Sequence, residues 1–96
     1  MITHVVVFKL KERSPENIEK VRAKLATLSD KIQFLRHFEV GVDVLHGERS
    51  YDLALLAKFD SLADLQAYQD HPAHQEVVKY LQTLRESTIT VDYEGI

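Results

Sequence analysis

Apolar residues in this chain switch between a spacing of two and a spacing of three to four, and the order of those switches constrains its fold most. In "MITHVVVFKLK", Ile2, His4, Val6, Phe8 and Leu10 fall on one side, and Thr3, Val5, Val7, Lys9 and Lys11 on the other, the mark of a strand. "RSPEN" then opens a helix, with Ser14 as N-cap, Pro15 at the first helical position and Glu16 against the positive end of the dipole. Ile18, Val21, Leu25 and Leu28 form its apolar stripe.

The spacing of two returns from Phe34 to Leu45, where Phe34, Phe38, Val40, Val42 and Val44 share a face that also holds Arg36. "HGERS" reads as a turn. In "YDLALLAKFD", Tyr51, Leu53, Leu55, Ala57 and Phe59 then alternate with Asp52, Ala54, Leu56, Lys58 and Asp60. "DSLADLQAYQ" starts a short helix, with Ser61 and Asp64 at capping-box spacing, and a second helix runs from about Pro72 to Leu84. "STITVDYE" closes the chain as a strand, with Ile89, Val91 and Tyr93 on one face. The order β-α-β-β-α-β, with its second helical segment split, is that of a ferredoxin-like α+β domain with a four-stranded antiparallel sheet. One such domain is expected over residues 1–96.

Helices of this arrangement cover one face of a sheet. The expected helix-facing side runs from Ile2 through Phe8, Phe38, Leu55 and Val91. The other side still carries Val5, Val7, Leu35, Leu45, Ala54 and Leu56. An exposed apolar face of that extent calls for a further layer, and the chain has no segment left to supply one. A second copy, packed sheet against sheet as a homodimer, is the simplest source.

Composition narrows the function classes. The absence of cysteine excludes a disulfide framework, a thiolate metal site and a cysteine nucleophile. The net charge of −3 comes with no basic patch or aromatic–arginine interleaving, so no nucleic-acid partner is expected. The opening apolar run from Val5 to Phe8 is too short for a signal peptide. No stretch approaches the ~20 apolar residues of a membrane span, so a cytoplasmic protein without a membrane partner is expected.

Three segments together, "MITHVVVFKLK", "YDLALLAKFDSLADLQAYQDHPAHQEVV" and "TITVDYE", resemble the stress-responsive A/B barrel domain (Dabb) family over nearly the whole chain. The resemblance implies a dimeric α+β barrel. It also extends, in the first strand and in "Y-x-x-H-P-A-H", to a polyketide cyclase of the family that performs an aldol condensation without a cofactor. By that motif the catalytic histidine falls on His74, its supporting tyrosine on Tyr68 and the first-strand histidine on His4. The chain departs from the cyclase at Leu53, where the cyclase has a pocket histidine, and in lacking a tyrosine in the first helix.

The residues themselves point the same way. His74 shares a helical stripe with Val77, Val78 and Leu81, and His4 alternates onto the face of Val6 and Phe8. Two imidazoles entering one apolar layer need partners there. They either bond to backbone with Tyr68 filling space, or they line a small cavity. In a cavity, burial lowers the histidine pKa from ~6.5 and leaves a neutral base, with Tyr68 able to orient it or donate to an oxyanion.

His71 and Asp70 read as the machinery that starts the helix at Pro72. A metal reading of His71 and His74 with Glu76 or His4 lacks the three or four converging ligands of a zinc site, and no metal is expected. His37 and His46 read as solvated.

The functional expectation is cofactor-free acid/base chemistry, cyclase- or isomerase-like, on a small carbonyl compound, with a small aromatic or carbonyl ligand as the expected partner. His74 would be the base, Tyr68 the orienter or donor, and His4 a second polar wall. The rival is a non-catalytic stress-response or small-molecule-binding dimer. A third option, by fold analogy, is a cofactor-independent monooxygenase.

Overall fold

A computed structural model describes residues 1–95, and its elements follow the expected order. They are β1 (Ile2–Leu10), α1 (Pro15–Ala26), α2 (Leu28–Lys31), β2 (His37–Val42), β3 (Leu53–Phe59), α3 (Leu62–Asp70), α4 (Pro72–Leu81) and β4 (Arg85–Glu94). The four strands form one antiparallel sheet in the order β2-β3-β1-β4, the ferredoxin-like arrangement. Ser14 caps α1 by accepting the Asn17 N–H at 3.1 Å, and Ser61 caps α3 by accepting that of Asp64 at 3.2 Å.

The helices cover one face of the sheet. Phe8, Leu10, Leu53, Leu55, Ala57 and Phe59 project from it into the core. There they meet Val21 and Leu25 of α1, Leu28 of α2, Leu65 of α3, and Val77 and Leu81 of α4. Each fully buried side chain of leucine or phenylalanine size contributes ~1.5–3 kcal/mol of transfer free energy. Asp52 is a buried polar tie at the edge of this core. It accepts the Leu10 N–H and the Arg13 Nε–H, both at 2.8 Å, and joins the end of β1 to the loop before β3.

Three expectations are corrected. Val91 does not face the helices. It pairs with Val5 across β1 and β4, so it stands on the opposite side of the sheet with Ile89 and Tyr93. The second strand is shorter at both ends than Phe34–Leu45. Among the described residues, β2 is an edge strand whose only partner is β3, and pairing stops at Val42 opposite Leu53. Without a ladder to hold them, Val44 and Leu45 lie in the following loop, 89% and 79% exposed. The last helix ends at Leu81, three residues early, and the Leu84 carbonyl instead accepts the Lys11 N–H at 3.0 Å.

The other sheet face has no covering layer among the described residues. Val5, Val7 and Leu56 lie on it at the centre, and Ile89, Val91 and Tyr93 are about half exposed on β4. Among the described residues, no helix is long and apolar enough to cross a membrane.

Candidate active site

Strand alternation turns His4 towards the helices beside Val6 and Phe8. The antiparallel register sets Asp92 of β4 directly across from it. The Asp92 carboxylate accepts the His4 Nδ1–H, which fixes the ring and leaves Nε2 as the free nitrogen. His4 is 4% exposed, so this contact resolves what would otherwise be an unpaired polar group in the core.

Tyr68 comes from the inward side of α3 and is 1% exposed. Its ring centroid lies 5.8 Å from His4, edge on, 5.1 Å from Phe59 and 4.5 Å from His74. Burial pushes the phenol pKa well above its ordinary value, so the hydroxyl keeps its proton and acts as a donor.

His74 sits in the first turn of α4, and the break between α3 and α4 determines its orientation. Pro72 has no N–H, and the Ala73 N–H is taken by the Nδ1 of His71, the N-cap, at 3.0 Å. The Gln69 carbonyl in the last turn of α3 therefore receives the His74 Nδ1–H, at 3.1 Å. That bond leaves the His74 Nε2 lone pair available. Burial holds the His74 pKa below 6.5, opposed by the Gln69 bond, and His4 and His71 lower it further.

These groups border a cavity of about 220 Å³ between sheet and helices. Its apolar wall includes Val6, Leu25, Leu55, Val77 and Leu81. Its β4 wall carries Thr90, Thr88 and Arg85. Among the described residues, neither His4 Nε2 nor the Tyr68 hydroxyl has a hydrogen-bond partner, neither is a sealed-off polar atom, and both residues line the cavity. Gln69, His74 and Val78 border both this cavity and an outer depression reaching Lys79 and Gln82, which places His74 at the mouth.

His4, Tyr68 and His74 are thus brought together. The support of His74 differs from the expectation, because a Gln69 carbonyl holds the imidazole while Tyr68 meets it ring to ring. His71 caps α4 alone, with Asp70 closing α3. His37 and His46 are exposed. Glu76 points to Lys24, and no cluster of three or more metal-ligating side chains occurs among the described residues.

Sequence reasoning missed Asp92, Thr88, Thr90 and Arg85. Their signal is the alternation of Thr88, Thr90 and Asp92 on one side of the last strand. It becomes informative only once the β1–β4 register is known.

The depressed His74 pKa makes a stability prediction. A histidine held neutral in the fold binds its proton more weakly than in the unfolded chain. Its contribution is therefore complete above pH ~6.5 and declines as pH falls from there towards the lower native value. Urea titrations between pH 7.5 and 5 should show a steeper loss of stability for the wild type than for His74→Gln. Parallel curves would contradict the assignment.

The sequence profile of a family described as "Stress responsive A/B Barrel Domain" matches residues 2–95. An uncharacterised protein of Streptomyces coelicolor is 30% identical over 97 residues, spanning 98% of this chain and 99% of its own. Among solved structures, a dimeric protein of unknown function and ferredoxin-like fold from Bacteroides fragilis is 33% identical, with TM-score 0.84 and coverage of 98% of this chain and 95% of that one. A dimeric ferredoxin-like protein of unknown function from Thermobifida fusca is 26% identical, with TM-score 0.87 and coverage of 98% and 90%.

Proposed function

The chain belongs to the stress responsive A/B barrel domain family, and on that premise we propose that its cavity performs cofactor-free proton transfer on a small carbonyl compound. The observation that carries this reading is the convergence of two imidazoles and one phenol on a single cavity with an apolar wall. Each imidazole has its Nδ1–H bound to an acceptor and, among the described residues, its Nε2 unengaged. Such a set can remove a proton next to a carbonyl and stabilise the oxyanion that forms.

The steps follow from the protonation states. His74 Nε2, neutral near pH 7, takes the proton from the carbon beside the carbonyl. The buried Tyr68 hydroxyl, which keeps its proton, donates to the oxygen as it becomes an enolate. His4, steadied by Asp92, offers the second imidazole on the opposite wall. An enolate held this way can be reprotonated, as in an isomerase, or can attack a second carbonyl of the same molecule, as in a cyclase.

Deuterium exchange into the methyl group of acetophenone, followed by NMR in D2O, tests the chemistry. Exchange above the buffer rate is expected, falling off at acid pH with an inflection below 6.5, where His74 becomes protonated. An absence of exchange above background at every pH from 5 to 9 would sink the reading.

The working unit we propose is a homodimer closed through the uncovered sheet face into an α+β barrel. The relatives from Bacteroides fragilis and Thermobifida fusca, described as dimeric, support it. So does the run of Val5, Val7, Leu56, Ile89 and Val91 along that face. Val91→Glu sets a charge in its middle and is expected to give a folded monomer in sedimentation velocity at micromolar concentration, against a dimer for the wild type. A wild type that sediments as a monomer under those conditions excludes the barrel.

A further inference from the structure

β4 does not keep a regular register with β1. Lys9 pairs with Ser87, but Leu10 pairs with Arg85, so one extra residue, Glu86, is inserted between them. Regular alternation from Thr90 and Thr88 would carry Glu86 onto the cavity side. The bulge instead turns Glu86 out to Lys9, at 3.3 Å, and brings Arg85 to the cavity wall. One inserted residue thus exchanges an anion for a cation at the far end of the pocket.

Arg85 is half-buried there, and no carboxylate pairs with it among the described residues. Its recorded side-chain contact is Nη1–H to the Thr88 hydroxyl oxygen at 3.5 Å, which sets the guanidinium beside Thr88 and leaves most of its donors unused. At ~3.3 Å per residue, the backbone runs about 13 Å from Thr88, beside the guanidinium, to Asp92, opposite His4. The space between holds one substituted ring: a cavity of about 150 Å³ is enough for benzene, and this one is about 220 Å³.

We infer that Arg85, with Thr88, is a carboxylate-binding subsite, and that the substrate is a small ketone carrying a carboxylate at the end remote from its reacting carbonyl. This rests on the acid/base reading above for which end reacts. A guanidinium recognises a carboxylate through two parallel N–H···O bonds, and the Thr88 hydroxyl can add a third donor. The carbonyl then lies towards Tyr68 and the two imidazoles.

The test uses 4-acetylbenzoate and its neutral counterpart 4-acetylbenzamide, titrated into the full chain and followed by amide NMR. The acid is expected to bind at least about tenfold tighter than the amide. Arg85→Gln should abolish that preference, and Arg85→Lys, which keeps the charge without the fork, should retain part of it. Equal affinities in the wild type, a preference that survives Arg85→Gln, or binding of neither compound at millimolar concentration overturns the subsite. Methyl deuterium exchange in the same samples separates the two claims. An Arg85-dependent preference without exchange upholds the subsite and refutes the acid/base reading. Exchange without the preference does the reverse.

Discussion

His74→Gln is expected to slow methyl deuterium exchange into acetophenone by about 10²–10⁴-fold, the usual contribution of a positioned general base. Glutamine occupies similar space and can still bond to the Gln69 carbonyl, but it has no basic lone pair in the range of neutral pH. The loss should therefore lie in rate, with probe affinity nearly unchanged. The acid limb that reports His74 should vanish from whatever exchange remains. A rate within threefold of the wild type would remove His74 from the chemistry and leave the cavity as a binding site. The geometry fixes which nitrogen of His74 can act as the base. Its Nδ1 is committed to Gln69, and its pKa is held below the ordinary value by burial.

Phe59→Ala should produce the largest loss of stability, about 3–5 kcal/mol. Phe59 is fully buried at the end of β3, with ring centroids 6.4 Å from Phe34 and 5.1 Å from Tyr68. Removing its ring leaves a void that the sheet on one side and α3 on the other cannot close. For a domain of this size, each kcal/mol shifts Tm by roughly 4–8 °C, so a fall of more than about 12 °C is expected in calorimetry. Protein concentration must be matched, since association adds to apparent stability. A loss below about 1 kcal/mol would mean that the core relaxes around the gap. Because Phe59 backs Tyr68, the variant should also loosen the phenol against His74.

The two predictions differ in how visible their residues were beforehand. His74 and His4 could be placed on inward faces from spacing alone, since a helix repeats at three and four residues and a strand at two, whereas Tyr68 was implied by the resemblance to the family motif. The role of His71 as a cap was legible for a similar reason. A residue before proline is held extended and its side chain lies next to free N–H groups. Asp92 and Arg85 were not legible. Periodicity says which residues of β4 share a face, but it does not say which face meets the helices or what stands opposite. The misplacement of Val91 has that origin, because a one-residue change of register exchanges the two faces of a strand.

Local sequence was therefore sufficient for the order of elements, the break that creates the start of α4, and the two histidines aimed inward. These depend on interactions within a few residues of one another. Tertiary structure alone decided the rest. Pairing between β1 and β4 spans almost the whole chain, and it set Asp92 behind His4. The bulge in that pairing turned Arg85, and not Glu86, to the cavity. The edge position of β2 freed Val44 and Leu45 from the sheet. Register, bulges and edges arise from hydrogen bonds between distant segments, so no window of sequence contains both halves of the contact that determines them.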